Sequence, residues 1–288
     1  MIDMSNRVLA PVDQSRYADH VADYAIWAAG RLSAPLEFLH VIDRHPEQGS
    51  GEDHSGAIGI NAQQHLLAEL SSRDEALARA ARERGRVFLN RLREQAVAAG
   101  LAAVDVRQRH GRLDDTLIEH QAGVRLFVLG RRGESAETTR RDLGRNVERV
   151  ARALKKPILT VTDGFREPRR ILIAFDGGGL SRKGVDMVAA SPLFRGLEVH
   201  LLMSGKPRPD APRQLEAAAG VLRGAGFSPG TELVPGDTEQ VIARALRDRN
   251  ADLLVMGAYS HSPWRSLFVG SKTSDLLRAA AVPTLLLR

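Results

Sequence analysis

The chain carries an internal repeat, and a repeat restricts the fold more than any short motif does. Residues 126–161 and residues 253–287 each contain an apolar strand, a glycine turn, a loop, a second glycine, an amphipathic helix and a strand that begins after proline. The similarity extends towards the start of each copy, because residues 7–13 resemble residues 170–176. The sequence therefore predicts two copies of one α/β unit.

The boundary between the copies falls in a polar turn at residues 163–168, after the last strand of the first copy. We accordingly predict one domain over residues 1–163 and another over residues 164–288, called the first half and the second half below. A chain of 288 residues is long enough for each half to bury its own core.

The first half carries an insertion. Asp13 and Gly130 are 117 positions apart, whereas their counterparts Asp176 and Gly257 are 81 positions apart. Nearly all of the difference falls at roughly residues 43–100, where a loop containing glycine and histidine precedes a long, charged, amphipathic segment. We predict one long or broken helix in this segment.

Short apolar segments alternate with helical patterns along both halves, which is typical of a parallel sheet covered by helices on both faces. The predicted strands are 7–12, 36–42, 104–109, 125–129 and 158–162 in the first half, and 170–175, 197–203, 231–235, 252–256 and 283–287 in the second. The predicted fold class is therefore α/β, with two tandem open five-stranded parallel sheets flanked by helices in the Rossmann manner.

Composition argues against several classes of protein. The net charge is +6, but the arginines alternate with glutamates on predicted helices and aromatics make up only 5% of residues, so we expect no nucleic-acid partner. With no cysteine and no histidines at ligand spacing, we expect no metal site. The apolar runs are only strand length and the amino terminus lacks a signal-peptide pattern, so we expect a cytoplasmic protein without membrane contact.

Ligands of open parallel sheets bind beyond the carboxyl ends of the strands, where the strand order reverses. Asp13 in the first half and Asp176 in the second follow the first strand of each copy, where a carboxylate can accept from ribose hydroxyls. Val41 and Leu202, at the ends of the second strands, offer backbone groups to a base. These positions favour a nucleotide ligand.

Each glycine turn is followed by a glycine at a predicted helix start, Gly144 in the first half and Gly270 in the second. The unpaired N–H groups and the positive dipole end of a helix start bind phosphate. Over nearly its whole length the chain thereby resembles the universal stress protein family in its tandem two-domain form. ATP-binding members of that family carry a Gly-x-x-Gly turn, a spacer, and then Gly followed by Ser or Thr.

The first half keeps the glycines of this pattern and departs from it at the hydroxyl. Gly130 and Gly133 are followed after ten residues by Gly144, but Arg145 stands where the family has Ser or Thr. Losing one hydroxyl hydrogen bond costs about 0.5–1.5 kcal/mol, which a charge-assisted contact from Arg145 would regain.

The second half keeps the hydroxyls Ser271 and Thr273 after Gly270, but Ser260 replaces the second turn glycine. A residue other than glycine costs about 1–2 kcal/mol if that position needs a positive φ. Neither departure alone abolishes a site. Because three phosphate-facing groups remain in the second half, we favour it as the ATP site.

The resemblance implies a set of ligand-contacting residues in each half and no catalytic residue. In the first half they are Pro11, Asp13, Val41, Gly130, Gly133, Gly144, Arg145 and Asn146. In the second half they are Ala174, Asp176, Leu202, Met256, Gly257, Ser260, Gly270, Ser271, Lys272 and Thr273. The implied ligand is ATP, AMP or ADP, and Mg²⁺ as a companion ion stays open.

The resemblance further implies a fold like that of the adenine-nucleotide alpha hydrolases and a regulatory role in stress. We expect a nucleotide-responsive regulator rather than a fast enzyme, with at most weak ATP hydrolysis. In such folds the last strands often pair across domains or subunits, so residues 157–161 and 283–287 are the candidates for the packing edge of two domains that form a pseudo-dimer. A homodimer and an unidentified regulatory protein partner stay open.

Two alternatives remain at this point. The glycines can serve only to turn the chain, and Asp13 and Asp176 can serve only as caps of the following helices. In that case the chain is an interaction scaffold that has lost nucleotide binding. A slow ATPase, in which either aspartate positions water or a metal ion, is the other alternative.

Overall fold

The computed structural model of the chain describes residues 4–42, 60–133, 145–257 and 280–288. The strands of this part are β1 (Arg7–Pro11), β2 (Leu36–Ile42), β3 (Val104–His110), β4 (Val124–Gly130), β5 (Ile158–Val161), β6 (Arg170–Phe175), β7 (Glu198–Gly205), β8 (Gly230–Pro235), β9 (Leu253–Gly257) and β10 (Thr284–Leu287). The helices are α1 (Ala18–Leu32), α2 (Ile60–Ala98), α3 (Leu113–His120), α4 (Arg145–Ala153), α5 (Gly179–Ala190), α6 (Ala211–Gly224) and α7 (Thr238–Asp248).

The described strands form one ten-stranded sheet in the order β3-β2-β1-β4-β5-β10-β9-β6-β7-β8. Neighbours within each half are parallel, so the predicted α/β class with five parallel strands in each half is confirmed. The chain order reverses between β1 and β4 in the first half, and between β6 and β9 in the second. In open parallel sheets, ligands bind at places of this kind.

The halves meet at an antiparallel pair formed by β5 and β10, so the last strands form the packing edge between the halves, as predicted. Leu159 faces its own counterpart Leu285, and the flanking pairs are Thr284 with Thr160 and Leu286 with Ile158. A pseudo-twofold axis therefore passes through the centre of the sheet. The two sides of this axis differ in chemistry, because one flanking pair is polar and the other is apolar.

Helix α1 forms from the predicted apolar spacing and lies against the sheet. Its inward residues Val21, Ala25, Ala28, Ala29 and Leu32 are buried, as predicted. Small alanines let the helix approach the strands closely, and it ends at Ser33 in the left-handed conformation.

The long segment of the first half is one continuous helix, α2, and it occupies the place that the 14-residue α6 takes in the second half. Gly100 with φ 93° follows α2, and Gly226 with φ 87° follows α6, so the two helices end alike. Residues 85–98 of α2 are thus the counterpart of α6. The additional length lies ahead of them, which narrows the predicted insertion to the residues before Gly85.

The turn between the halves packs on α1. The Tyr24 hydroxyl donates to the Gly164 carbonyl at 3.4 Å and accepts from the Arg166 N–H at 3.3 Å. The rings of Tyr24 and Phe165 meet edge to face at 4.9 Å between centroids. The connection is therefore held by specific contacts along its length.

Candidate functional site

A cleft of about 670 Å³ opens at the carboxyl ends of β1, β2 and β4. It lies where the strand order of the first half reverses, as expected for an open parallel sheet. Five residues predicted from the sequence line it, namely Pro11, Asp13, Val41, Gly130 and Gly133. The tertiary structure thus brings the described candidates of the first half to one place, called the first-half cleft below.

Asp13 lies between the start of α1 and the glycine turn. Its Oδ1 accepts hydrogen bonds from the Ser15 N–H at 3.2 Å and from the Ser15 hydroxyl at 2.5 Å. Tyr17, not Asp13, is the N-cap residue of α1. Asp13 is therefore not the N-cap of this helix. Its second oxygen, Oδ2, faces Gly133.

Asp176 makes the same local arrangement in the second half. Its Oδ1 accepts from the Gly178 N–H at 2.8 Å and from the Ser181 hydroxyl at 2.6 Å. The N-cap residue of α5 is Gly178. Both aspartates are thus oriented by hydrogen bonds from residues that follow them in the chain.

The two turn glycines of the first half are required by close packing. A Cβ on Gly133 would lie 2.3 Å from Oδ2 of Asp13, and a Cβ on Gly130 would lie 2.9 Å from a methyl carbon of Val21. Neither glycine has a positive φ. The lack of side-chain volume, and not a left-handed backbone, is therefore what favours glycine at these two positions.

Arg131, between these glycines, is a functional position that the sequence reasoning missed. Its side chain is 5% exposed and crosses to the second half, where it donates to the Val282 carbonyl and the Thr284 hydroxyl, each at 2.6 Å, and to the Ala280 carbonyl. Burial lowers the pKa of Arg131 to about 10. A clue lay in the repeat itself, since the corresponding residue of the second half is Ala258.

His40 forms part of the cleft floor and was also missed. Its Nδ1 lies 3.0 Å from the Val12 carbonyl, which can only accept, so Nδ1 carries the proton. Its Nε2 then accepts from the Gln14 amide at 3.4 Å. The ring is buried, and both of its nitrogens have hydrogen-bond partners, so its orientation in the floor of the cleft is defined.

The loop after β3 closes another side of the cleft. Gly111 adopts φ 140°, a conformation that favours glycine. Beyond it, Asp114 pairs with Arg149 of α4 at 2.5 Å and with Arg112 at 3.3 Å. Burial acts to raise the pKa of Asp114, but the hydrogen bonds and charges of Arg112 and Arg149 outweigh it and lower that pKa.

The charges around the cleft favour an anionic ligand. Two aspartates and five arginines line it: Asp13, Asp114, Arg84, Arg112, Arg131, Arg132 and Arg149. Cationic excess in a concave site raises the local concentration of anions. Helix α4 lies on the same side and contributes Val147 and Arg149 to the lining.

The described candidates of the second half lie on β6, β7 and β9, with Asp176 just past β6; they are Ala174, Asp176, Leu202, Met256 and Gly257. The strand register corrects one of them. Leu202 pairs with Ala174 as Leu39 pairs with Pro11, so Leu202 is the counterpart of Leu39 and is buried in the core.

The residue that matches Val41 is therefore Ser204, two positions further along β7. The sequence comparison placed the end of the second strand two residues too early, because β7 starts one residue after the predicted position and continues to Gly205. The prediction required a residue near the end of the second strand, and in β7 that residue is Ser204.

Several predicted positions lie outside the described residues. They are Gly144 in the first half and Ser260, Gly270, Ser271, Lys272 and Thr273 in the second. Arg145 and Asn146 begin α4, as expected for the phosphate-facing helix start, and their side chains are likewise outside the described part. The preference for the second half rests on these residues and stays a prediction.

Within the described ranges, no three His, Cys, Asp or Glu side chains are grouped as metal ligands. No helix in the same ranges combines enough length and apolar character to cross a membrane.

The family model described as universal stress protein matches residues 4–162 and residues 167–288. Universal stress protein Slr1230 from Synechocystis is 32% identical over 284 residues, which covers 98% of this chain and 99% of that protein. A universal stress protein from Thermus aquaticus is 27% identical over 135 residues, covering 42% of this chain and 98% of that protein.

Solved structures agree on the fold. A universal stress protein from Archaeoglobus fulgidus superposes with a TM-score of 0.69 at 18% identity, covering 99% of this chain and 98% of that chain. A putative universal stress protein from Pseudomonas aeruginosa gives a TM-score of 0.63 at 18% identity, covering 98% of this chain and 93% of that chain.

Proposed function

The chain belongs to the universal stress protein family, and on that premise we propose that it is a stress-response regulator that binds ATP or a related adenine nucleotide in at least one half. Its two domains would be residues 1–163 and 164–288, and it would act in the cytoplasm through a regulatory protein partner. The observation that carries this proposal is the first-half cleft at the reversal of strand order.

The cleft offers one group for each part of a nucleotide. Asp13 would accept from ribose hydroxyls through the oxygen that faces the glycine turn. The backbone of Val41 would meet the base at the end of β2. Gly130, Gly133 and the start of α4 would hold the phosphates, which also suits the arginine-rich lining.

The second half remains the other candidate site of the same function. Asp176 is oriented as Asp13 is, and Gly257 ends β9 as Gly130 ends β4. Ser271 and Thr273 are hydroxyls at the phosphate-facing positions of the sequence pattern. Occupancy of either half would supply the regulatory signal.

Paired single substitutions test this proposal. Asp13→Asn and Asp176→Asn each keep the shape of the side chain and remove its charge, while Asp186→Asn changes an exposed aspartate on α5. Losing a hydrogen bond to a charged group costs about 1.5–3 kcal/mol, so we expect at least a tenfold weaker affinity for ATP when the affected half is the binding half. Isothermal titration calorimetry measures it, and the melting temperature without ligand reports on folding.

The pattern of loss identifies the site. A loss in Asp13→Asn alone assigns the first half, a loss in Asp176→Asn alone assigns the second, and Asp186→Asn should bind as the wild type does. No binding of ATP, ADP or AMP by the wild-type chain would refute the proposal and favour an interaction scaffold. Release of ADP on incubation with Mg²⁺ and ATP, abolished by the same substitution, would identify slow hydrolysis.

A further inference from the structure

A buried serine hydroxyl donates to the aspartate that follows the first strand of each half. In the first half, the Ser15 hydroxyl lies 2.5 Å from Oδ1 of Asp13. In the second half, the Ser181 hydroxyl lies 2.6 Å from Oδ1 of Asp176. Ser15 is 7% exposed and Ser181 is 6% exposed, so protein surrounds both hydroxyls and strengthens their bonds to the carboxylates.

The two serines stand at different positions of the repeat. Ser15 comes two residues after its aspartate, where the second half has Gly178, and Ser181 comes five residues after its aspartate, where the first half has Ala18. The backbone N–H two residues after the aspartate donates to Oδ1 in both halves, at 3.2 Å and 2.8 Å. The same hydroxyl contact is therefore made from two places in the chain, and it is not a by-product of one duplicated local sequence.

These donors fix the orientation of the carboxylate. The last torsion of an aspartate side chain is broad and roughly twofold, so a carboxylate without fixed donors can rotate. In the first half both donors of Ser15 are on Oδ1 of Asp13, and Oδ2 is the oxygen beside Gly133. A carboxylate that is oriented before a ligand arrives loses less entropy on binding.

The hydroxyl of the first half has the more definite role. The Ser15 oxygen accepts from the Tyr17 N–H at 3.3 Å, and its single proton points to Asp13. The Ser181 hydroxyl also lies 3.0 Å from the Gly178 carbonyl, so two acceptors share its single proton. The hydroxyl should therefore hold the carboxylate more firmly in the first half than in the second.

We propose that Ser15 and Ser181 are positioning residues for the nucleotide site of their own half. Each holds Oδ1 of its aspartate, so that the carboxylate is oriented to accept hydrogen bonds from the ribose hydroxyls of the ligand. The inference rests on the proposed function and adds a specificity to it, since the serines favour ligands that carry ribose hydroxyls. The serines act through the aspartates and do not touch the nucleotide.

The test compares Ser15→Ala and Ser181→Ala with Ser191→Ala. Ser191 is equally buried, but its hydroxyl accepts from the Leu193 N–H at 3.3 Å, away from the strand ends that carry the aspartates. Calorimetry measures the affinities for ATP and for dideoxy-ATP, which lacks both ribose hydroxyls. If the first half binds, Ser15→Ala should weaken ATP about fivefold, and if the second half binds, Ser181→Ala should weaken it about threefold.

Both losses should be smaller than those of the aspartate substitutions, because the backbone N–H donor to Oδ1 remains. The affinity for dideoxy-ATP should stay within about twofold, since the carboxylate then has no ribose hydroxyl to accept from. In the binding half, the serine substitution should add less than about twofold to Asp13→Asn or to Asp176→Asn, because the hydroxyl acts through the carboxylate. A purely structural role would predict additive losses and an equal loss for both ligands.

Ser15→Gly is a second variant of the first half. It introduces the residue that the second half has at this place, keeps the N–H donor and removes the hydroxyl, so it should weaken ATP as Ser15→Ala does. Ser191→Ala should bind as the wild type does, and melting temperatures without ligand report on folding.

Unchanged ATP affinity in the serine variant of the binding half would overturn the inference while the proposed function stands. An equal loss for dideoxy-ATP, or ATP binding that neither aspartate substitution weakens, would have the same meaning. A wild type that binds no nucleotide overturns both.

Discussion

Replacing Arg131 by methionine tests whether its buried guanidinium joins the two halves. The side chain leaves the glycine turn of the first half and reaches Ala280, Val282 and Thr284 in the second. Methionine is unbranched and apolar, so it fills much of the same space and removes every donor. The substitution therefore isolates the hydrogen bonds from the packing.

The structure sets the size of the effect. Arg131 donates three hydrogen bonds to the second half and a long one, at 3.4 Å, to the Thr160 hydroxyl. The three to the second half contribute about 1.5–3 kcal/mol each, or about 4.5–9 kcal/mol together. Burying the charge opposes this contribution. It lowers the pKa of Arg131 to about 10, and the shift corresponds to a cost of about 3 kcal/mol. The difference is about 1.5–6 kcal/mol, and we expect a loss of about 3 kcal/mol because water and small backbone shifts satisfy part of the carbonyls that lose their donor.

Urea unfolding followed by circular dichroism measures this loss as a lower midpoint at constant slope. Hydrogen exchange should show faster exchange over residues 280–287, where Arg131 binds. The control is Arg132→Met, since Arg132 is the partly exposed neighbour that pairs with Asp163 at 2.9 Å. A surface pair of this kind contributes about 0–1 kcal/mol.

Two results would refute the reasoning about Arg131. One is stability of Arg131→Met within about 0.5 kcal/mol of the wild type. The other is an equal loss in Arg131→Met and Arg132→Met, because a buried crosslink and a surface ion pair should not contribute alike.

Three further predictions concern glycines and a histidine. Gly220→Ala in α6, where an added Cβ meets nothing within 4 Å, should raise stability by about 0.5–1 kcal/mol, whereas Gly184→Ala in α5 should lower it by about 1–3 kcal/mol, because its Cβ would lie 2.8 Å from Leu287; opposite signs in urea unfolding are the check. Gly133→Ala should displace Asp13 and weaken ATP at least about tenfold in calorimetry if the first half binds it; unchanged affinity would contradict this. Burial and the Arg249 charge lower the pKa of His200, and Glu232 offsets only part of this effect. The unfolded chain therefore binds a proton more readily than the folded one, and the stability should fall as the pH drops below about 6.5. The urea midpoint should fall less with pH in His200→Gln, and an equal fall in the wild type and the variant would contradict this prediction.

The strands could be predicted because they depend on local pattern. The apolar runs 36–42 and 158–162 appear as β2 and β5 within a residue of the predicted bounds. The repeat then related the two halves, and the resemblance to the family indicated the last strands as the packing edge, where β5 pairs with β10. The described candidate residues of the first half lie together in the cleft, because all of them stand at strand ends or in turns at one edge of the sheet.

The register of β7 could not be read from sequence similarity. Leu202 looked like the counterpart of Val41, but the hydrogen-bonded pairing with β6 places Ser204 there. A shift of two residues keeps every side chain on the same face of a strand, so the apolar pattern does not distinguish the two alignments. Only the positions of neighbouring strands decide between them.

The sequence by itself determined the two α/β units, their order of elements and the aspartates and glycines at the strand ends, because these follow from periodicity and turn chemistry over a few residues. The tertiary structure alone decided that Arg131 binds carbonyls of the second half and that Arg84 lines the first-half cleft. Arg131 and Ala280 are 149 residues apart in the chain. Contacts at that separation depend on how two complete units pack, and no local pattern encodes that packing.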